Sequence, residues 1–247
     1  MGIGSYIKHG LLRAGWDLVR LPNSNSEFGT ALRLIRASGA SAVVDVGANT
    51  GQYATEILAT TRQIRVISFE PLQQAHELLV QRARQEPRWI IAERMALGTE
   101  EGTINLNVAG NFVSSSILPM HDTHRAAAPQ SVYTGTQKVA IRRLDSAVKP
   151  HCSRDDVLYL KIDTQGYESQ VMAGATGVMD QIGAIQLELS FVELYEGQLL
   201  AFDMMKRIQN LGYKLFGIAP EFRDTKSGEL LQANGYFLKQ SIRPGQP

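Results

Sequence analysis

The sequence predicts an α/β domain with a doubly wound, mostly parallel sheet. Short apolar runs rich in β-branched residues recur at 42–46, 64–69, 157–162 and 184–189. Segments with helical spacing of apolar residues separate them. A glycine-bearing turn from Gly47 to Gly51 joins the first run to the helix that follows. Such alternation buries both faces of a sheet, and ligands bind beyond the carboxyl ends of its strands.

Taken in order, residues 3–21 place Ile3, Ile7, Leu11, Ala14 and Leu18 at helical spacing, with Lys8, Arg13 and Arg20 elsewhere on the wheel. A second helix starts at about Ser26, a good N-cap residue, and stops near Gly39. These helices form an N-terminal extension over 1–40, ahead of the main domain over 41–247. The first strand, 42–46, is followed by a helix from Gly51, a strand at 64–69 and a helix from Pro71 to Gln85. Proline suits a first helical turn, whose N–H groups have no intrahelical partner. Residues 89–92 read as a third strand. From Met95 to Ile141 the pattern is irregular, with β-like pieces at 103–108 and 137–141 around a polar segment. Alternation resumes with a strand at 157–162, a helix from about Tyr167, a strand at 184–189, a helix at 199–211 and strands at 213–218 and 235–238.

Composition narrows the function classes. The chain has 247 residues, 44% hydrophobic and 20% charged, with net charge +1. Without a basic excess, nucleic acid is not the expected partner. Cys152 is the single cysteine, which excludes an intramolecular disulfide and a cysteine zinc cluster. No apolar run approaches the ~20 residues of a membrane span, and the N-terminus does not read as a signal peptide, so cytoplasmic residence is the expectation. Trp16 among basic residues gives the first helix an interfacial character; weak membrane-surface contact, a homodimer contact and a cover over the domain are its three readings.

The most informative segment is Asp45-Val46-Gly47-Ala48-Asn49-Thr50-Gly51. Glycine lets the backbone turn tightly and approach a ligand. Glu70 follows 19 residues after Gly51, at the end of the next strand, where a carboxylate accepts hydrogen bonds from the two hydroxyls of a ribose. A dinucleotide site normally carries G-x-G-x-x-G; this turn is G-x-x-x-G with a leading Asp. It suits a smaller zwitterion such as S-adenosyl-L-methionine, whose amino group faces Asp45 and whose carboxylate takes backbone N–H donors.

The pieces VVDVGANTGQY (43–53), FEP (69–71), ALG (96–98), Ser114-Ser115-Ser116, RLD (143–145), LKIDTQGYE (160–168), LELSF (187–191) and LYEGQ (194–198) together resemble the FkbM family of methyltransferases. The resemblance implies a class I methyltransferase Rossmann-like fold over 41–247, with seven strands of which the last is antiparallel. It implies O-methylation of a hydroxyl, commonly on a sugar of a glycolipid, glycoside or polysaccharide, or on a secondary metabolite. Carried over by position, Gly47, Ala48, Asn49 and Gly51 line the methionine part of the cofactor. Glu70 with Pro71 meets the ribose, Ala96 and Leu97 the adenine, and Ser115 and Ser116 close the site.

Transfer to a hydroxyl requires an aligned oxygen and a group to take its proton. Asp163, after the apolar strand 157–162, is the leading catalytic candidate. Glu188 lies inside an apolar strand and needs a partner; Lys161 is one. Three uses of these acids stay open: a base or orienting acceptor, a pair holding a divalent cation, or hydrogen bonds to the acceptor. His121 is a second candidate base, and His124, Glu168, Tyr195 and Glu196 are candidate acceptor contacts. A secondary-metabolite O-methyltransferase and a non-catalytic cofactor-binding module are the rival functions. The polar middle segment favours a sugar.

Overall fold

A computed structural model describes residues 11, 13–15 and 26–242. The helix expected over 3–21 lies almost wholly outside the described residues. The first described helix, α1 (Glu27–Ser38), starts where the sequence places it. Ser26 Oγ accepts from the Gly29 N–H at 3.1 Å, and Gly39 ends the helix in the left-handed region at φ +67°. Its apolar face, including Ala31, Leu34 and Ile35, is buried against the sheet.

The main sheet contains β1 (Ala42–Val46), β2 (Arg65–Phe69), β3 (Trp89–Ile91), β7 (Leu158–Ile162), β8 (Ile182–Ser190), β9 (Tyr213–Arg223) and β10 (Leu230–Lys239), in the order β3-β2-β1-β7-β8-β10-β9. Five of them run parallel side by side, and the last strand, β10, is antiparallel to both β8 and β9. Strand order reverses between β1 and β7, so the chain leaves their carboxyl ends in opposite directions and opens a crevice there. Every residue of β1, β7 and β8 is buried, as expected of central strands covered on both faces. The covering helices are α1, α2 (Gln52–Thr60), α3 (Gln73–Ala83), α6 (Glu168–Ala173) and α7 (Ala201–Asn210).

Three features differ from the sequence expectation. The helix expected from Pro71 begins at Gln73. Glu70 Oε1 accepts from the Leu72 N–H at 2.8 Å and holds Pro71-Leu72 out of the helix. The irregular middle is a second sheet, in the order β4-β6-β5, of β4 (Met95–Gly98), β5 (Gly102–Ala109) and β6 (Tyr133–Arg143). Beside it lies the short helix α4 (Asp122–Ala127). β4 is four residues long and finds its partner over 40 residues away, Ala96 opposite Ile141, a pairing no local pattern reveals. Finally, β9 and β10 run beyond their expected limits. Pro220 breaks the strand pattern in sequence, yet β9 is an edge strand, where proline is tolerated.

Candidate active site

β1 ends in a turn through Gly47 (φ +78°), Asn49 (φ +49°) and Gly51 (φ +89°). The two glycines answer to different neighbours. A Cβ on Gly47 would lie 1.8 Å from the Asp163 carbonyl oxygen, and one on Gly51 would lie 2.4 Å from the Trp89 ring. The turn also uses its own amides. Gly47 and Ala48 donate to the Phe69 carbonyl, Asn49 to Glu70 Oε2 at 2.7 Å, Thr50 to Asn49 Oδ1 and Gly51 to the Ala48 carbonyl. The five amides from Gly47 to Gly51 are thus engaged within the protein, and the helix that follows begins at Gln52.

A cavity opens beside the turn. Gly47, Asn49, Glu70 and Pro71 form one wall, and Phe69, Ala96 and Leu97 give an apolar one. Ser115 and Ser116 cross from the segment after β5, with Asp163 and Gln165 beyond them. Glu70 is buried, and burial pushes its carboxyl up to about 7 even though two backbone N–H groups donate to it. Ser116 Oγ donates to the Gln165 carbonyl at 2.7 Å, and Ser115 Oγ accepts from the Ala109 N–H. Ala48 and Gly51, expected at the ligand, do not line this cavity: Ala48 is packed in the core and Gly51 lies under Trp89.

Asp45 is also displaced from its expected role. It is fully buried, and in the parallel register of β1 and β7 it faces Lys161. The Lys161 ammonium stands 3.2 Å from Asp45 Oδ1 and 3.2 Å from Asp163 Oδ2, 5.3 Å from the centre of the Tyr53 ring. Burial acts to discharge Lys161, but the two carboxylates outweigh it and raise its pKa. Burial likewise acts to raise Asp163, yet Lys161 and its hydrogen bonds hold it below the usual carboxylate range. Lys161 thus pairs with Asp45 and Asp163 rather than with Glu188.

Glu188 is served by Gln165, which sequence reasoning missed. Its Nε2 lies 3.0 Å from Asp163 Oδ1 and 3.0 and 2.9 Å from the two Glu188 oxygens, and its Oε1 accepts from the Tyr195 hydroxyl at 2.8 Å. Gln165 adopts φ +55°. Burial, then the Asp163 charge, pushes the Glu188 carboxyl well above the usual carboxylate range. Two further residues went unseen, Glu221 on β9 and Asn234 on β10. Asn234 Nδ2 donates to Glu221 Oε2 at 2.8 Å and to Glu27 Oε1 at 2.9 Å. The signal for Gln165 was its place beside Gly166 in the motif; Glu221 was hidden behind Pro220.

The remaining candidates divide. Glu168 is turned into its own loop, accepting from Thr164 N, Thr164 Oγ1 and Gly166 N, so it is a loop fastener and not an acceptor contact. Tyr195 is buried and reaches the site only through Gln165. Glu196 is exposed, with its N–H on the Pro119 carbonyl, away from the cavity. His121 caps α4, its Nδ1 accepting from the Thr123 N–H, and does not line the cavity. His124 is buried against Tyr195 and Phe222. Among the described residues no three His, Cys, Asp or Glu side chains are grouped to hold a metal ion. The Gln165 amide fills the space between Asp163 and Glu188.

A seven-stranded sheet with this strand order and a reversed last strand, a glycine turn after its first strand and a carboxylate ending its second define a class I S-adenosylmethionine-dependent methyltransferase. Residues 45–215 match the methyltransferase FkbM domain, and the chain belongs to that family. It is 26% identical over 215 residues to the 2-O-methyltransferase NoeI of Sinorhizobium fredii, covering 81% of this chain and 86% of that protein. Among solved structures it is similar to Aeropyrum pernix fibrillarin in complex with S-adenosyl-L-methionine, at 10% identity over 87% of this chain and 75% of that one, TM-score 0.48. It is also similar to a TehB-like methyltransferase from Corynebacterium glutamicum, at 11% identity over 96% of each chain, TM-score 0.40. Among the described residues no helix is long and apolar enough to cross a membrane.

Proposed function

We propose that this methyltransferase transfers the methyl group of S-adenosylmethionine to a hydroxyl, and that the acceptor is a sugar of a glycolipid, glycoside or polysaccharide. The position of Asp163 carries the reading. It lines the cavity beside Glu70 and also a second, polar opening formed with Tyr53, Lys161, Glu221 and Asn234. A hydroxyl entering from that opening meets an ionised carboxylate at the edge of the first cavity.

The first cavity fits the cofactor. Each Glu70 oxygen accepts one backbone N–H and keeps a lone pair for a ribose hydroxyl, while Phe69, Ala96 and Leu97 offer an apolar slot to a purine. When bound, the cofactor supplies a methyl group on a cationic sulfur. The chain's residues do the rest: Gln165 fixes Asp163, Lys161 keeps it ionised, and Asp163 takes the proton of the acceptor hydroxyl. The name of the Sinorhizobium fredii relative supports transfer to oxygen, and the amide and carboxyl groups around Asp163 suit a polyol better than an apolar polyketide.

The test combines calorimetry with S-adenosylhomocysteine and methyl transfer to a panel of methyl glycosides and phenolic or polyketide hydroxyls. Glycoside methylation that collapses in Asp163→Asn while cofactor affinity persists is the expected result. Transfer to the apolar acceptors alone would replace the sugar reading. Tight cofactor binding with no transfer to any acceptor would favour a non-catalytic binding module.

A further inference from the structure

Near the end of β5 the chain forms a closed loop. Asn107 and Ser116 pair as an antiparallel bridge, the Asn107 N–H donating to the Ser116 carbonyl at 2.9 Å and the Ser116 N–H to the Asn107 carbonyl at 3.2 Å. The loop between them ties its polar side chains to itself. Asn111 Oδ1 accepts from the Ser114 N–H at 3.1 Å, Asn111 Nδ2 donates to Ser114 Oγ at 3.0 Å, and Ser115 Oγ accepts from the Ala109 N–H at 3.0 Å. The apolar side chains at its tip are the ones left out: Phe112 is 41% exposed and Val113 57%. A loop with no ligand to meet shows polar groups to water instead. Phe112 is the sharper anomaly. Its backbone sits at φ +61°, a left-handed conformation that glycine adopts freely and in which a bulky side chain is an outlier. Neither the backbone nor the core accounts for a phenylalanine there, yet Phe112 and Val113 both line the cavity whose apolar wall is Phe69, Ala96 and Leu97.

We propose that Phe112, with Val113 beside it, is the clamp on the adenine of the bound cofactor, its ring covering the purine that the wall of Ala96 and Leu97 receives. The inference rests on the reading of this cavity as the S-adenosylmethionine site. A purine is flat and apolar on its faces, and stacking on an aromatic ring requires no directional partner. Apolar surface that Phe112 leaves in water in the free protein is removed from water when the purine arrives. Strained residues persist at ligand clamps, where the surrounding structure holds them in place. Here the paired Asn111 and Ser114 side chains and the Phe112 N–H, which donates to the Ala109 carbonyl at 3.0 Å, hold the backbone. The base of the loop is fastened beside the catalytic acid. Ser116 Oγ donates to the Gln165 carbonyl at 2.7 Å, and the Tyr195 hydroxyl lies 3.2 Å from the Ser114 carbonyl. The loop that covers the adenine is therefore anchored on Gln165, the residue that positions Asp163.

The test compares wild type with Phe112→Gly, Phe112→Ala and Phe112→Tyr by calorimetry. The probes are S-adenosylhomocysteine and methylthioadenosine, which keeps the adenosine and lacks the amino-acid end. Urea unfolding of the free proteins is measured alongside, so that neither readout depends on turnover. Phe112→Gly and Phe112→Ala should each lose at least about fivefold in affinity for both probes, the low end of base–aromatic stacking. Phe112→Tyr, which keeps the ring, should bind as wild type does. Phe112→Gly should unfold at higher urea than Phe112→Ala, the reverse of the usual order, because glycine alone relieves the left-handed backbone. A variant that is the firmer of the two and still binds poorly separates loss of the clamp from loss of the fold. Wild-type affinity in both Phe112→Gly and Phe112→Ala would overturn the clamp and leave the cofactor reading intact. A loss confined to S-adenosylhomocysteine would overturn the adenine assignment and place Phe112 at the amino-acid end. Phe112→Ala unfolding at higher urea than Phe112→Gly would overturn the strained loop on which the proposal stands. Failure of wild type to bind either probe would overturn the cofactor reading itself, and the clamp with it.

Discussion

Gly47 and Asp163 meet main chain to main chain. The Asp163 N–H donates to the Val46 carbonyl at 3.0 Å, and the space where a Gly47 side chain would stand is filled by the Asp163 carbonyl. The cofactor turn after β1 and the acid after β7 are therefore placed by one contact across the switch in strand order.

This contact predicts that Gly47→Ala is severe. It forces a Cβ onto a carbonyl and a side chain into φ +78°. The positive φ alone costs about 1–2 kcal/mol. With the overlap, a loss of at least about 2 kcal/mol is expected in urea unfolding, together with loss of S-adenosylhomocysteine binding. Full stability with normal binding would show that the two loops move apart freely.

Gln165→Leu removes the amide that joins Asp163 to Glu188 and the acceptor of the Tyr195 hydroxyl. Stability should fall by about 1–3 kcal/mol. Turnover should fall roughly tenfold to a hundredfold as the carboxylate loses its orientation, with cofactor affinity nearly kept. Normal turnover would return Gln165 to a purely structural role.

Lys161→Met leaves the buried Asp45 and the part-buried Asp163 without their cation, a loss of about 3–5 kcal/mol. The pH dependence follows from the sign of the shift. Asp163, depressed by Lys161, adds stability above its unfolded pKa that is lost as pH falls through its lower folded value. Without Lys161 its pKa rises, so the acid limb of the activity profile should move to higher pH. An unmoved limb would mean that Asp163 does not set it.

Glu70 gives the opposite sign. Its carboxyl is raised to about 7, so its contribution to stability is present below its unfolded pKa and is lost as pH rises through 7. Ribose hydroxyls donate best to the ionised form. Affinity for S-adenosylhomocysteine should climb with pH and level off above about 7, and Glu70→Gln should bind weakly with a flat profile. A flat wild-type profile would move the ribose elsewhere.

Much of this was legible in the sequence. Parallel strands covered on both faces are mostly apolar, so β1, β2, β7 and β8 announce themselves. A turn that needs positive φ needs glycine, so Gly47 and Gly51 mark the place. A carboxylate ending the second strand points to Glu70, and the motif resemblance names the class. What the sequence did not carry is which way a side chain turns and what stands opposite. Asp45 and Asp163 read alike as acids at the ends of apolar strands. The parallel register of β1 and β7 puts Lys161 between them, locking Asp45 in the core and leaving Asp163 at the cavity. Glu221 and Asn234 have no local signature, because their roles depend on partners distant in sequence. His121 and His124 look equivalent in HDTH; one turn of helix caps itself with the first and buries the second. Periodicity records which face of an element meets the core, and only the packed sheet decides which polar groups are brought together there.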